Sequence, residues 1–155
     1  MEKTLAEEEK LNIYPITKSY ELFSHSLIFY DQLEKRIENN PNSKDNEILA
    51  NVGKSAVIGG FKLFFDQLIT IMRKYIEYED GRDECATYKC FFRTAGEKGL
   101  IDDFYKWMEF YRARDSVSEA PYSDEAVNNI CLIAKEFDIY AKKIIAVLEE
   151  KILEM

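Results

Sequence analysis

One histidine, His25, and three cysteines, Cys85, Cys90 and Cys131, are the near-neutral or soft groups of this 155-residue sequence. A general base or a metal centre would have to begin from them. Imidazole titrates close to neutrality, but at 100° per residue His25 points away from the apolar stripe of Phe23, Leu27 and Tyr30. It reads as a solvated surface residue. The cysteines form no CxxC pair with which a zinc knuckle or redox motif begins, and a structural zinc site needs more soft ligands than one histidine adds. They read as ordinary buried thiols, with no metal and no cofactor expected. A glycine-rich phosphate loop, a nucleophile elbow, HExxH and a Walker sequence are all missing from the chain.

The segment Phe104 to Tyr122 is more informative. On a helical wheel Asp115 falls on the face of Phe104, Trp107, Met108 and Tyr111, with Arg114 at its edge. A carboxylate in that position needs a partner. One outcome is an ion pair with Arg93, Arg112 or Arg114 that fixes the helix end. The other is a polar pocket in which an arginine fork grips a phosphate or a carboxylate. The aromatic cluster Tyr105, Trp107, Phe110 and Tyr111 recurs at helical spacing, which suits core packing better than a binding surface.

Helices must position these groups. Hydrophobic residues make up 46% of the chain, enough for one compact core, and six glycines with three prolines leave few turns for a multistranded sheet. The expectation is an all-α fold, an antiparallel up-and-down bundle of four to five helices spanning 17–155 as one domain, preceded by a frayed segment over 1–16 that Pro15 interrupts. The stripe Tyr20, Phe23, Leu27, Tyr30, Leu33 and Ile37 predicts a helix from Thr17 to Asn39. A second helix, from about Asp45 to Tyr78, is apolar on more than one side and must be central or lie at a subunit interface. Gly59 and Gly60 in its middle predict a kink or a close helix crossing. A third helix over about Asp83 to Lys98 shows Ala86, Cys90, Phe91 and Ala95 on its apolar side and stops at Gly99. A fourth opens near the acidic pair Asp102 and Asp103 and runs to Ser116. The last starts at the N-cap Ser123 and carries Ala126, Ile130, Ala134, Phe137, Ala141, Ile144, Leu148 and Ile152.

The balance of 29 acidic against 21 basic residues, a formal charge of -8, excludes broad electrostatic binding to a phosphate backbone. The acidic start Met1 to Lys10 lacks the basic and apolar regions of a secretory signal, and no uninterrupted apolar run approaches the roughly 20 residues a bilayer needs. A soluble, cytoplasmic protein without membrane association is expected.

Two stretches carry a resemblance: SAVIGGFKLFFDQLITIMRKYIEYEDG, and FFRTAGEKGLIDDFYKWMEFYRARDSVSEAPYSDEAV. Their order of an aromatic helix ending in glycine, a Gly-Leu-Ile-Asp-Asp turn, a Trp, an Arg followed by a polar residue and a Tyr before an acidic-Ala pair resembles the nucleotidyltransferase substrate-binding proteins. These form a branch of the HEPN superfamily, and the match covers roughly residues 50 to 150. The resemblance implies a helical bundle that forms a homodimer and pairs with a minimal nucleotidyltransferase, with a nucleotide or RNA as a possible ligand. An accessory or substrate-binding subunit, or one half of a toxin–antitoxin pair, follows from it.

The superfamily's ribonucleases carry an Arg, four to six residues, then a His, and some carry a Tyr after it that the partner modifies with AMP. By resemblance Arg114 fits the arginine, Asp115 stands where Asn is common, Glu119 stands where the histidine would be, and Tyr122 stands near the tyrosine. Gly60, Lys62 and Ile69 replace the Arg, Glu and Trp common on helix two, so the usual polar pairing there lacks its residues. A glutamate does not supply the imidazole chemistry of RNA cleavage. The expected protein is therefore a divergent, non-catalytic binding subunit, with a degenerate HEPN ribonuclease toxin and a purely structural helical adaptor as the alternatives.

Overall fold

The computed structural model describes residues 11–81, 85–118 and 123–155. Among these the elements are five helices and no strand, the all-α bundle that the composition implies: α1 (Tyr14–Asn39), α2 (Asn46–Asp80), α3 (Tyr88–Glu97), α4 (Phe104–Ser116) and α5 (Asp124–Leu153).

The first helix begins at Tyr14, not at Thr17, and Pro15 does not break it. Proline in the first turn lacks an N–H that would have had no intrahelical acceptor anyway, and its fixed φ suits the helix. The Tyr14 N–H is instead taken by Asn12 Oδ1 at 3.0 Å. Leu11 and Ile16 are buried, so this part of the expected frayed segment is tied to the core. At the other end the asparagines that stop the helix also hold the turn. Asn40 Nδ2 donates to Arg36 O at 2.9 Å, and Asn46 Nδ2 donates to Asn40 O at 2.8 Å.

The 35 residues of α2 extend about 50 Å, and Gly81 closes the helix with φ 84°, its N–H donating to Glu77 O. Of the two readings of the central glycines, the close crossing is the one with contacts behind it. A Cβ on Gly60 would sit 3.1 Å from Phe23 Cα, and one on Gly53, two turns earlier on the same face, 2.8 Å from Tyr30 Cδ2. These pairings also set α1 antiparallel to α2. Gly59 faces open space, where an added Cβ would meet nothing within 4 Å. Opposite outcomes are expected from neighbouring substitutions: Gly59→Ala should raise stability by up to about 1 kcal/mol through helix propensity, whereas Gly60→Val should lower it by about 1–3 kcal/mol through overpacking against the α1 backbone. Urea denaturation of the two variants checks the sign.

The pair α3 and α4 forms the short return limb that lets α5 run parallel to α2. Cys131 lies beside Lys54, Phe137 beside Phe61 and Phe65, and Lys151 beside Tyr75. Each limb is capped by its own side chain: Thr87 Oγ1 accepts from Cys90 N, Asp103 Oδ1 from Lys106 N, and Ser123 Oγ from Ala126 N, all at 3.1 Å. The inner face of α3 is Phe91, Phe92 and Ala95; Ala86 and Cys90, expected inside, are exposed. Phe137 stands at the middle of the core, with the rings of Phe23, Phe61, Phe64, Phe65, Trp107 and Phe110 all within 6.0 Å of its centroid.

Two of the three cysteines depart from the expected buried thiols. Cys85 and Cys90 are joined as a disulfide, while Cys131 is a free buried thiol, pushed up in pKa by its burial. Among the described helices α2 is long and apolar enough to cross a membrane when hydropathy is averaged, although no single run of its residues is uninterrupted; half of that window is buried inside this bundle.

Three tyrosine hydroxyls on the core's margin, Tyr20, Tyr30 and Tyr75, are pushed up to about 12, first by burial. Tyr20 also donates to Asp138 and Tyr75 to Glu79. The folded chain thus holds these protons more tightly than the unfolded one, whose tyrosines ionise near 10. Their contribution is fully present below pH 10 and is lost as pH rises towards about 12. Thermal midpoints between pH 9 and 12 should fall, and Tyr75→Phe, which has no proton to lose, should blunt the fall.

Candidate functional site

Asp103 caps α4 and Trp107, Phe110 and Ala113 turn inward, which fixes where the next residue emerges. Arg114, one position beyond buried Ala113, reaches across to α2. Its Nε donates to Asp66 Oδ1 at 2.7 Å and its Nη2 to Asp66 Oδ2 at 2.9 Å, a forked two-point pair. Nη1 donates to Ser118 Oγ at 3.1 Å. The Arg114 side chain retains 18% of its exposure and Asp66 46%, so the pair lies at the rim of the core with its carboxylate edge open to solvent. The Asp66 hydrogen bonds, outweighing burial, hold the guanidinium in its charged form.

Aromatic rings flank this pair. Tyr88, the first residue of α3, stacks on Tyr111 of α4 with centroids 4.0 Å apart and planes 21° from parallel. The guanidinium carbon of Arg73 lies 5.3 Å from the Tyr88 ring centre and 4.5 Å from that of Phe91. The Tyr111 hydroxyl is pushed up in pKa by burial and then by the charge of Asp115. Chemically, this is a guanidinium neutralised by a carboxylate whose outer edge is open to solvent, with a stacked tyrosine pair beside it.

A family model described as nucleotidyltransferase substrate binding protein like matches residues 25–150. The chain belongs to that family. No curated protein matches it. The match runs from α1 to near the end of α5 and takes in Asp66, Tyr88, Tyr111 and Arg114.

In this substrate-binding family member the sequence-predicted residues divide. Arg114 is paired, but with Asp66 of α2 and not with its neighbour. Asp115, expected on the buried face, is exposed. The inner face is set by Trp107, Phe110 and Ala113, rotated by about 100° from the one centred on Phe104 and Tyr111, and this turns Asp115 outward. Arg93, offered as its partner, lies instead over the Phe104 ring at 5.4 Å. Glu119 and Tyr122 lie outside the described residues. His25 is exposed on α1, as its wheel position implies. Helix two does carry a polar partner, Asp66, despite lacking the residues usual for one. The signal for Asp66 was present: a lone carboxylate between Phe65 and Gln67 inside the run Leu63–Met72 demands a counter-charge.

Proposed function

We propose that the protein is a non-catalytic, HEPN-like substrate-binding or accessory subunit that forms a homodimer and pairs with a minimal nucleotidyltransferase in a cytoplasmic, toxin–antitoxin-like module. Membership of the nucleotidyltransferase substrate-binding family supports the partner. The site is the Arg114 region, with Asp115, Glu119 and Tyr122 following it in sequence and a nucleotide or RNA phosphate as its ligand class.

The observation that carries the reading is the position of the Arg114–Asp66 pair. On α2 the exposed residues Ile48, Val52, Gly59 and Leu63 recur at helical spacing, and the next position on that face is Asp66. Leu22 and Phe29, seven apart on α1, are exposed as well. Apolar side chains in one line on a folded surface favour a protein partner. A subunit seated on that line meets the Arg114–Asp66 pair at its end, where charged groups select a partner more than they add affinity.

The ribonuclease alternative would use Arg114 with Glu119 as a substitute base; Glu119 lies outside the described residues, and the chain's one histidine is exposed on a helix that does not carry Arg114. Native protein recovered from its own cell extract, with mass read by light scattering, should be a dimer that carries a small nucleotidyltransferase. A lone monomer would overturn the proposal.

A further inference from the structure

The disulfide does not sit at random relative to the site. Cys85 and Cys90 are joined across the entry to α3, and Thr87 and Tyr88 lie between them. Thr87 caps the helix by accepting from Cys90 N, and Tyr88 is the ring stacked on Tyr111, beside Arg73 and within electrostatic reach of Arg114. The bond therefore closes a small loop around the residue that α3 contributes to the Arg114 cluster. Cys90 is an exposed residue and Cys85 a half-buried one, with its Sγ 3.4 Å from Thr94 Oγ1.

We propose that Cys85 and Cys90 form a reversible thiol–disulfide switch that sets the position of Tyr88 against Tyr111 and so governs the shape of the Arg114 cluster. The inference goes beyond the accessory-subunit reading and does not need it. The oxidant is a small-molecule disulfide of the glutathione class. The thiolate of Cys90, the more exposed of the two residues, attacks that disulfide and releases one small thiol. The Cys85 thiolate then attacks Cys90 Sγ and releases the second. The protein loses two protons and two electrons, and one disulfide becomes two thiols. In reverse, two small thiols regenerate both cysteines and untie the first turn of α3.

The test equilibrates the whole protein in buffers of graded reduced and oxidised glutathione, followed by alkylation and mass measurement. Reduced native protein should take two alkyl groups, on Cys85 and Cys90, and oxidised protein none, because Cys131 is buried. The midpoint should follow a two-electron slope. Hydrogen exchange on the same samples should show amide protection over Cys90–Phe92 at least about tenfold lower when reduced, together with a change in the near-ultraviolet tyrosine dichroism. The double substitution Cys85→Ser with Cys90→Ser should behave as the reduced protein in every buffer. A pair that stays reduced at all glutathione ratios overturns the proposal, and so does equal protection and dichroism in the two states. Neither readout involves a nucleotidyltransferase, so this inference and the partner proposal fail separately.

Discussion

Phe137→Ala should lower unfolding stability by about 3–5 kcal/mol, the largest loss expected of any single truncation in this chain. Its ring has six aromatic neighbours drawn from α1, α2 and α4, and it is fully buried. Truncation removes the transfer free energy of the ring and leaves a cavity. Stiff rings on every side, each already engaged with others, are poorly able to collapse into it. Since natural domains are stable by only about 5–15 kcal/mol, the melting temperature should fall by about 10 °C or more. Tyr105→Ala provides the comparison: that ring is 82% exposed, and its loss should change stability by no more than about 0.5 kcal/mol. Urea titrations followed by far-ultraviolet dichroism give both numbers. A Phe137→Ala loss below about 1 kcal/mol would mean that the core is not organised around this ring.

Phe137 was legible in the sequence because it lies on an uninterrupted apolar stripe behind an N-cap serine and two acidic residues. Local and long-range signals agree along α5, and its start and inner face are the ones that the spacing predicts. The errors fall where one local rule had two outcomes. Pro15 reads equally well as a breaker or as a first-turn residue, and only the burial of Leu11 and Ile16 decides between them. The five-residue spacing of Cys85 and Cys90 matches no short metal or redox motif, so their bond is visible only once the start of α3 places the sulfurs together. Asp115 was misplaced because a wheel gives relative angles and not the direction of the core. On α4 that direction is chosen by Trp107 and Phe110 meeting Phe137, contacts more than 25 positions apart in sequence. The same distance hid the partner of Arg114, which lies 48 positions away.

Removing that partner offers a sharper test of the site than removing the arginine alone. If the chain pairs with a nucleotidyltransferase as proposed, Arg114→Ala should weaken that binding by at least about tenfold, about 1.4 kcal/mol, while its effect on folding stays near 1 kcal/mol because the pair sits at the rim with Asp66 half open. Asp66→Ala leaves the guanidinium in place but takes away the two hydrogen bonds that fix its plane, so it should lose part of the same affinity. If Asp66 acts only by positioning Arg114, the double variant should bind no worse than Arg114→Ala, a non-additivity that a double-mutant cycle measures directly. Arg114→Lys keeps the charge without the fork and should recover little, because an ammonium cannot make the two-point contact. Calorimetric titration with the purified partner reads each affinity, and thermal unfolding of the same samples separates binding from folding. Unchanged affinity in Arg114→Ala would remove the site assignment. Additive losses would instead give Asp66 its own contact with the partner, consistent with its exposed edge and with the apolar line on α2 that ends at it.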